Sequence, residues 1–286
     1  MRKKKKSDII TNIILIFFVC LMLYPTIANH WNAYRNKLLA TEYNETVNTV
    51  NTKVLDEAYE AAKAYNLKHT QNYIEDAFKE NIEGYDATSE YGKLLNLRGD
   101  GVMGYIEIPK LNTKLTIYHG CGEDALSDGC GHVEGTSLPV GGESTHAVLS
   151  AHRGLAEAKL FTDLDKLSKG DKFYIHVLNK VLAYEVCDVY DMVDPNDTSE
   201  LQIEDGRDYV TLLTCTPYAV NTHRLLVRGI RVPYLTDEAE ETPTVIESVQ
   251  NLNIQEIISI IGVILLLIVL LVFRRKEKKD EKNNEK

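Results

Sequence analysis

The sequence predicts a mainly β fold: a closed or nearly closed barrel of short strands, preceded by helices and flanked by apolar segments of transmembrane type. Three observations lead there. Between Gly99 and Tyr234, short β-branched, aromatic and aliphatic runs alternate with turns built on Gly, Asp, Asn and Pro. Between Trp31 and Lys79, apolar residues recur instead at spacings of three and four. Outside both lie two nearly unbroken apolar runs, each with Lys and Arg on its outer side.

Residues 1–8 open on MRKKKK, a cationic cluster expected in the cytoplasm. Ile9–Tyr24, interrupted by Thr11 and Asn12, makes 9–28 a signal peptide or a signal anchor. The run is short against the roughly 20 residues that cross a bilayer. Thr26-Ile27-Ala28 is a poor small-x-small cleavage site, however, which favours an uncleaved anchor. Val54, Ala58, Ala61, Ala62 and Tyr65, then Tyr73 and Phe78, give 29–80 the pattern of two or three amphipathic helices, a stalk for the strand-rich region. Asn81–Lys93 is polar and turn-rich, so 81–96 reads as a loop.

Residues 97–235 hold the strands: Gly104–Ile108 ahead of Pro109, Thr113–Tyr118, Ala147–Ala151, Asp171–His176, Val181–Val189, and two more around Tyr209–Thr214 and Arg224–Arg228. A linker, 236–253, leads to Ile254–Phe273, which is long enough to span a bilayer. A basic tail, 274–286, ends the chain with Arg274-Arg275-Lys276 at its head. Cations outside both apolar runs predict a plasma-membrane protein with both termini cytoplasmic and the barrel extracellular. An apolar run with a basic tail also resembles a cell-wall sorting signal. That reading needs Leu-Pro-any-Thr-Gly upstream, and Thr236–Asn253 contains none, which favours an enzyme over a substrate.

With 286 residues the chain has room for one medium domain plus appendages, and its net charge of −10 argues against a nucleic-acid partner. There is no zinc-type Cys/His spacing, no phosphate-cradling Gly loop and no internal repeat.

The chemistry concentrates in Thr211–Val232. Tyr209–Thr214 is a strand, Cys215 stands where it stops, and Pro217 ends regular pairing. Arg224–Arg228 returns. If the two strands pair antiparallel, Cys215 faces Arg224 at the loop mouth. A guanidinium there favours thiolate and can donate to an oxyanion. Taken singly, the Cys reads as a small buried hydrophobe and the Arg as a solvated charge. Together, Thr211-Leu212-Leu213-Thr214-Cys215, Thr216-Pro217-Tyr218 and Asn221-Thr222-His223-Arg224-Leu225-Leu226-Val227-Arg228-Gly229 resemble the signature of sortases, most of all the class C, pilin-polymerising branch of Gram-positive bacteria.

The resemblance covers about Gly99–Tyr234 and implies an eight-stranded sortase barrel with Cys215 as nucleophile and Arg224 as the active-site arginine. Eight His are present, and sequence physics alone does not choose among them. Leu149-Ser150-Ala151-His152-Arg153-Gly154 is similar to the family's histidine segment, so His152 is carried over, with His223 as runner-up. The implied reaction is acyl transfer, which needs neither a metal nor an organic cofactor. Cys215 attacks the Thr–Gly bond of a Leu-Pro-any-Thr-Gly signal on a pilin, Arg224 supports the oxyanion with help from the Thr214 hydroxyl or the backbone near Cys215, and His152 protonates the leaving amine. A lysine of the next pilin then takes the acyl group. Class C sortases carry a lid with Asp-Pro-aromatic. At the matching place stands Tyr85-Asp86-Ala87, so Tyr85 and Asp86 are the candidate lid residues of a weak or mobile lid.

Alternatives remain open at this level: a housekeeping sortase that attaches proteins to peptidoglycan, a secreted cysteine hydrolase, or a non-catalytic surface module. The chain has five Cys. With Cys20 assigned to the membrane, Cys187 to a strand and Cys215 to catalysis, Cys121 and Cys130 remain. They are either a disulfide across a helical turn at Glu123–Asp128 or two structural thiols.

Overall fold

The computed structural model describes residues 2–69, 74–79, 82, 84–235, 261 and 262, with side chains from residue 13 onward except 15. Eight strands close a barrel: β1 (Val102–Ile108), β2 (Thr113–His119), β3 (Cys130–His132), β4 (Thr145–Ser150), β5 (Lys172–Val177), β6 (Lys180–Val193), β7 (Asp208–Thr216) and β8 (His223–Val232), in the spatial order β1-β2-β3-β4-β7-β8-β6-β5. β2–β3 and β4–β7 pair in parallel, and the other contacts are antiparallel. Closure leaves no unpaired sheet edge. Ile106, Ile117, Phe173, Ile175, Leu212 and Val227 fill the interior at 0% exposure. Gly229 on β8 has no room for a side chain, since a Cβ there would stand 2.6 Å from the Phe173 ring.

The predicted strands are all present. β3 was not read from the sequence, where its three residues lie inside a stretch of Gly, Cys and His with no β-rich run. α4 (Glu123–Asp128) occupies the expected helical turn.

α1 (Arg2–Thr49) and α2 (Thr52–Lys68) form the helical region. In the unit Trp31–Pro243, they pack on the barrel through buried polar anchors. Tyr43 Oη donates to the Met103 carbonyl and accepts from Leu178 N, both at 2.8 Å. The Asn36 amide donates to the Asp128 carbonyl and accepts from Thr116 N. In α2, capped by Asn51, Asn66 brackets Leu138 in the same way and Tyr59 Oη donates to Val140 O. Helices that share a core with the barrel are more than a stalk.

Two expectations for this region are corrected. The helical pattern does not run on to residue 80: α2 ends at Lys68, and Phe78 lies in a turn. Tyr73 lies outside the described residues. The loop 81–96 contains a short helix, α3 (Glu90–Lys93), capped by Ser89. Of the membrane expectations, the run Ile254–Phe273 lies outside the described residues except at 261 and 262. Among the described residues, no helix is long and apolar enough to cross a membrane.

Candidate active site

β7 and β8 pair with Cys215 directly opposite Arg224. Directly opposed residues of an antiparallel pair put both side chains on one face, about 5 Å apart at Cβ. The register follows from the alternation of β7. Leu212 and Thr214 turn into the barrel, and Leu213 and Cys215 turn out. β7 ends at Thr216, ahead of the cis Thr216–Pro217 peptide.

β4 lies beside β7 in parallel, Ser150 against Leu213. Ala151 N donates to Leu213 O at 3.2 Å, so the chain leaves the sheet at His152, next to the end of β7 that carries Cys215. Gly154 then makes the turn at φ +81°, where a side chain is strained and would crowd Tyr218.

A segment from before α3 covers this corner. The Asp76 carboxylate takes the Arg224 fork at both ends, Nε–Oδ1 2.7 Å and Nη2–Oδ2 2.6 Å. Arg224 Nη1 donates to the Asn221 and His223 carbonyls. Two residues on, the Phe78 ring sits 5.3 Å from the His152 ring and 5.3 Å from the guanidinium carbon of Arg224. Asp76-Ala77-Phe78 therefore bridges the histidine and the arginine.

The electrostatics match a covered site. Burial pushes the Cys215 thiol pKa up; Arg224 opposes the shift and Asp76 adds to it. Burial pushes His152 down, with Glu123 opposing. Both effects favour the neutral thiol and neutral imidazole under the cover. A nucleophilic thiol, a nearby imidazole and a bidentate cation are the parts that covalent acyl transfer requires.

A model described as the Sortase domain matches residues 106–232. The chain is 47% identical to a crystal structure of Streptococcus pneumoniae Sortase C, covering 97% of that chain and 68% of this one at a TM-score of 0.62. The chain belongs to the sortase family. A pilus-related Sortase C of Group B Streptococcus is 42% identical, with 68% of this chain and 97% of that chain covered and a TM-score of 0.63. Sortase A of Streptococcus agalactiae serotype III is 28% identical over 235 residues, which are 80% of this chain and 89% of that protein. Sortases are cysteine transpeptidases, and so is this chain.

Three expectations for this sortase's site residues are corrected. Thr214 does not face an oxyanion. It points into the barrel at 0% exposure, and its hydroxyl donates to the Ala151 carbonyl at 2.7 Å, where it holds the strand end that carries His152. Tyr85 and Asp86 are not brought to Arg224. Tyr85 stacks on His119 at 4.9 Å, and Asp86 accepts from Thr88 in a local turn. Asp76 and Phe78 stand where they were expected. The signal was in the sequence: Asp76-Ala77-Phe78 is Asp-x-aromatic with Ala for Pro, but Phe78 also fits the helical spacing of the preceding helix.

The third correction is the disulfide. Cys121 and Cys130 are both buried free thiols. Cys130 lies in the interior cluster with Ile117, whereas Cys121 lies in the outer one with Leu213, so the sheet separates their surroundings.

The other histidines are occupied elsewhere. His132 meets Tyr91 Oη and the Ser137 carbonyl, His119 the Gly101 and Leu94 carbonyls, and His223 the neighbouring Thr222 hydroxyl. Among the described residues, no group of His, Cys, Asp and Glu could hold a metal ion.

Proposed function

We propose that this sortase cleaves a Leu-Pro-any-Thr-Gly-like signal between Thr and Gly and joins the acyl group to a lysine amine of a pilin subunit, so that pili polymerise. The observation that carries it is the constellation Cys215, Arg224 and His152 covered by Asp76 and Phe78. A site guarded in this way has to be opened by its substrate. The pilus-related and pilin-specific descriptions of the Sortase C neighbours support the class. Cys215 attacks the Thr carbonyl, and the C–N bond to Gly breaks. The Cys215 thiol proton passes to His152, which gives it to the leaving amine, and Arg224, released from Asp76, donates to the oxyanion. The acceptor amine then displaces Cys215 and regenerates the thiol. No cofactor enters this scheme.

We also infer that the apolar runs at 9–28 and 254–273 hold the chain at the plasma membrane with the barrel outside. In whole cells, terminal epitope tags should resist external protease while the barrel is cut. Co-expression with a pilin bearing a sorting signal tests the function: high-mass ladders should form with the intact chain and disappear with Cys215→Ala. Transfer to peptidoglycan without ladders would favour the housekeeping reading that the Sortase A relatives suggest.

A further inference from the structure

The face of β7 and β8 that carries the reacting pair continues along the sheet. Side chains alternate along a strand, so Arg224, Leu226 and Arg228 share one face of β8, opposite Cys215, Leu213 and Thr211 of β7. Four residues of strand separate Arg224 from Arg228 by about 13 Å. Leu213 and Leu226 floor a narrow groove beside Arg224, walled on one side by Ile74 and Asp76. Its outer wall is the connection from β6 to β7, residues 194–207, through Pro195, Thr198 and Leu201. This connection is long against a median of about four to six residues, and a single 3₁₀ turn at Ser199–Leu201 is its regular structure. Something must hold it in place.

Arg228 fastens it. The residue is 7% exposed. Its Nη1 lies 3.3 Å from Glu204 and 3.5 Å from Glu200, both on the loop. Its Nη2 donates to Asp188 of β6 at 2.9 Å and to Tyr190 Oη. The Tyr190 and Tyr209 rings lie 5.1 and 4.8 Å from the guanidinium carbon. A second tie comes from His146, whose Nδ1 donates to Gln202 O while Nε2 accepts from the Thr211 hydroxyl, which faces the same end of the sheet.

We propose that Arg228 is a positioning residue for recognition of the sorting signal: it clamps the 194–207 loop to the sheet so that the outer wall of the groove stands before substrate arrives. The inference rests on the transpeptidase function proposed above. A wall ordered in advance spares the binding step the entropy of ordering it. Loss of the clamp therefore raises KM and leaves the chemistry at Cys215 intact. A sheet support with no part in recognition would lower stability and leave KM alone.

The test uses the full chain in detergent with Asp76→Ala as background, so that the cover does not limit access. A fluorogenic Leu-Pro-any-Thr-Gly peptide reads KM and kcat, iodoacetamide reads Cys215, and trypsin reads opening of the loop at the exposed Arg207. Arg228→Met should raise KM at least tenfold with kcat and alkylation within twofold, and should speed cleavage at Arg207 by a similar factor. Arg228→Lys, which keeps the charge but not the fork or the stacking plane, should fall between. Glu200→Gln with Glu204→Gln removes only the loop's ends of the clamp and should give the same KM shift at unchanged melting temperature, which decides the matter if Arg228→Met does not fold. An unchanged KM in either folded variant, or a kcat loss at constant KM, overturns the proposal. If the background chain turns over no peptide, the proposed function fails, and the Arg207 cleavage rate alone decides the clamp: equal rates in all variants overturn it.

Discussion

The thiol of Cys215 is held under a lid whose parts are single residues, so each can be removed separately. Asp76 acts twice: it occupies the arginine fork, and its charge adds to the burial that raises the thiol pKa. Asp76→Ala should therefore move the midpoint of iodoacetamide alkylation to lower pH and speed the reaction at pH 7 at least tenfold, about 1.4 kcal/mol. Asp86→Ala should change neither, since Asp86 serves only its own turn. Unaltered alkylation in Asp76→Ala would refute the lid. Arg224→Lys should lower the rate of acyl transfer on the order of a hundredfold or more, because an ammonium cannot make the bidentate donation. Steady-state kinetics with a sorting-signal peptide check this. At this scale Cys215, Arg224 and His152 were legible, because strand, breaker and turn surround them in fixed order. Asp76 and Phe78 were not, because Ala77 replaces the expected Pro and a lone aromatic at helical spacing resembles packing.

Between elements, the pairing that opposes Cys215 to Arg224 was readable from hydrophobic alternation, which fixes register when one face is buried. The direction of Thr214 follows from the same alternation and was missed by treating it as a neighbour of Cys215 rather than as the next residue on the opposite face. The joint between helices and barrel was not legible, because it consists of buried polar side chains that meet carbonyls far away in sequence. Tyr43→Phe tests that joint. It removes a hydroxyl that is bonded to both Met103 O and Leu178 N and leaves a buried carbonyl and a buried N–H unpaired. The expected cost is about 1–3 kcal/mol in denaturant unfolding. A loss below a few tenths would mean that water takes over both bonds.

For the molecule as a whole, the closed barrel followed from many short strands between turns, while its strand order did not. The two parallel pairings and the three-residue β3 depend on contacts that no local pattern encodes. The fold also buries neutral imidazoles. Burial pushes His132 and His146 down to about 4. The unfolded chain, with histidines near 6.5, binds more protons than the native one between those values. Stability is therefore full above about pH 6.5 and falls as pH drops toward 4, by on the order of 3 kcal/mol for each histidine. A melting temperature that stays flat across that window would contradict this. Acyl transfer through Cys215 underlies the whole scheme, and intact-mass analysis reads it without kinetics. The Asp76→Ala chain, mixed with a Leu-Pro-any-Thr-Gly peptide, should gain the mass of the acyl fragment on Cys215 and lose it to an added amine with formation of the amide. An adduct that persists in Cys215→Ala, or one discharged equally fast by water without amine, would contradict a Cys215 transpeptidase.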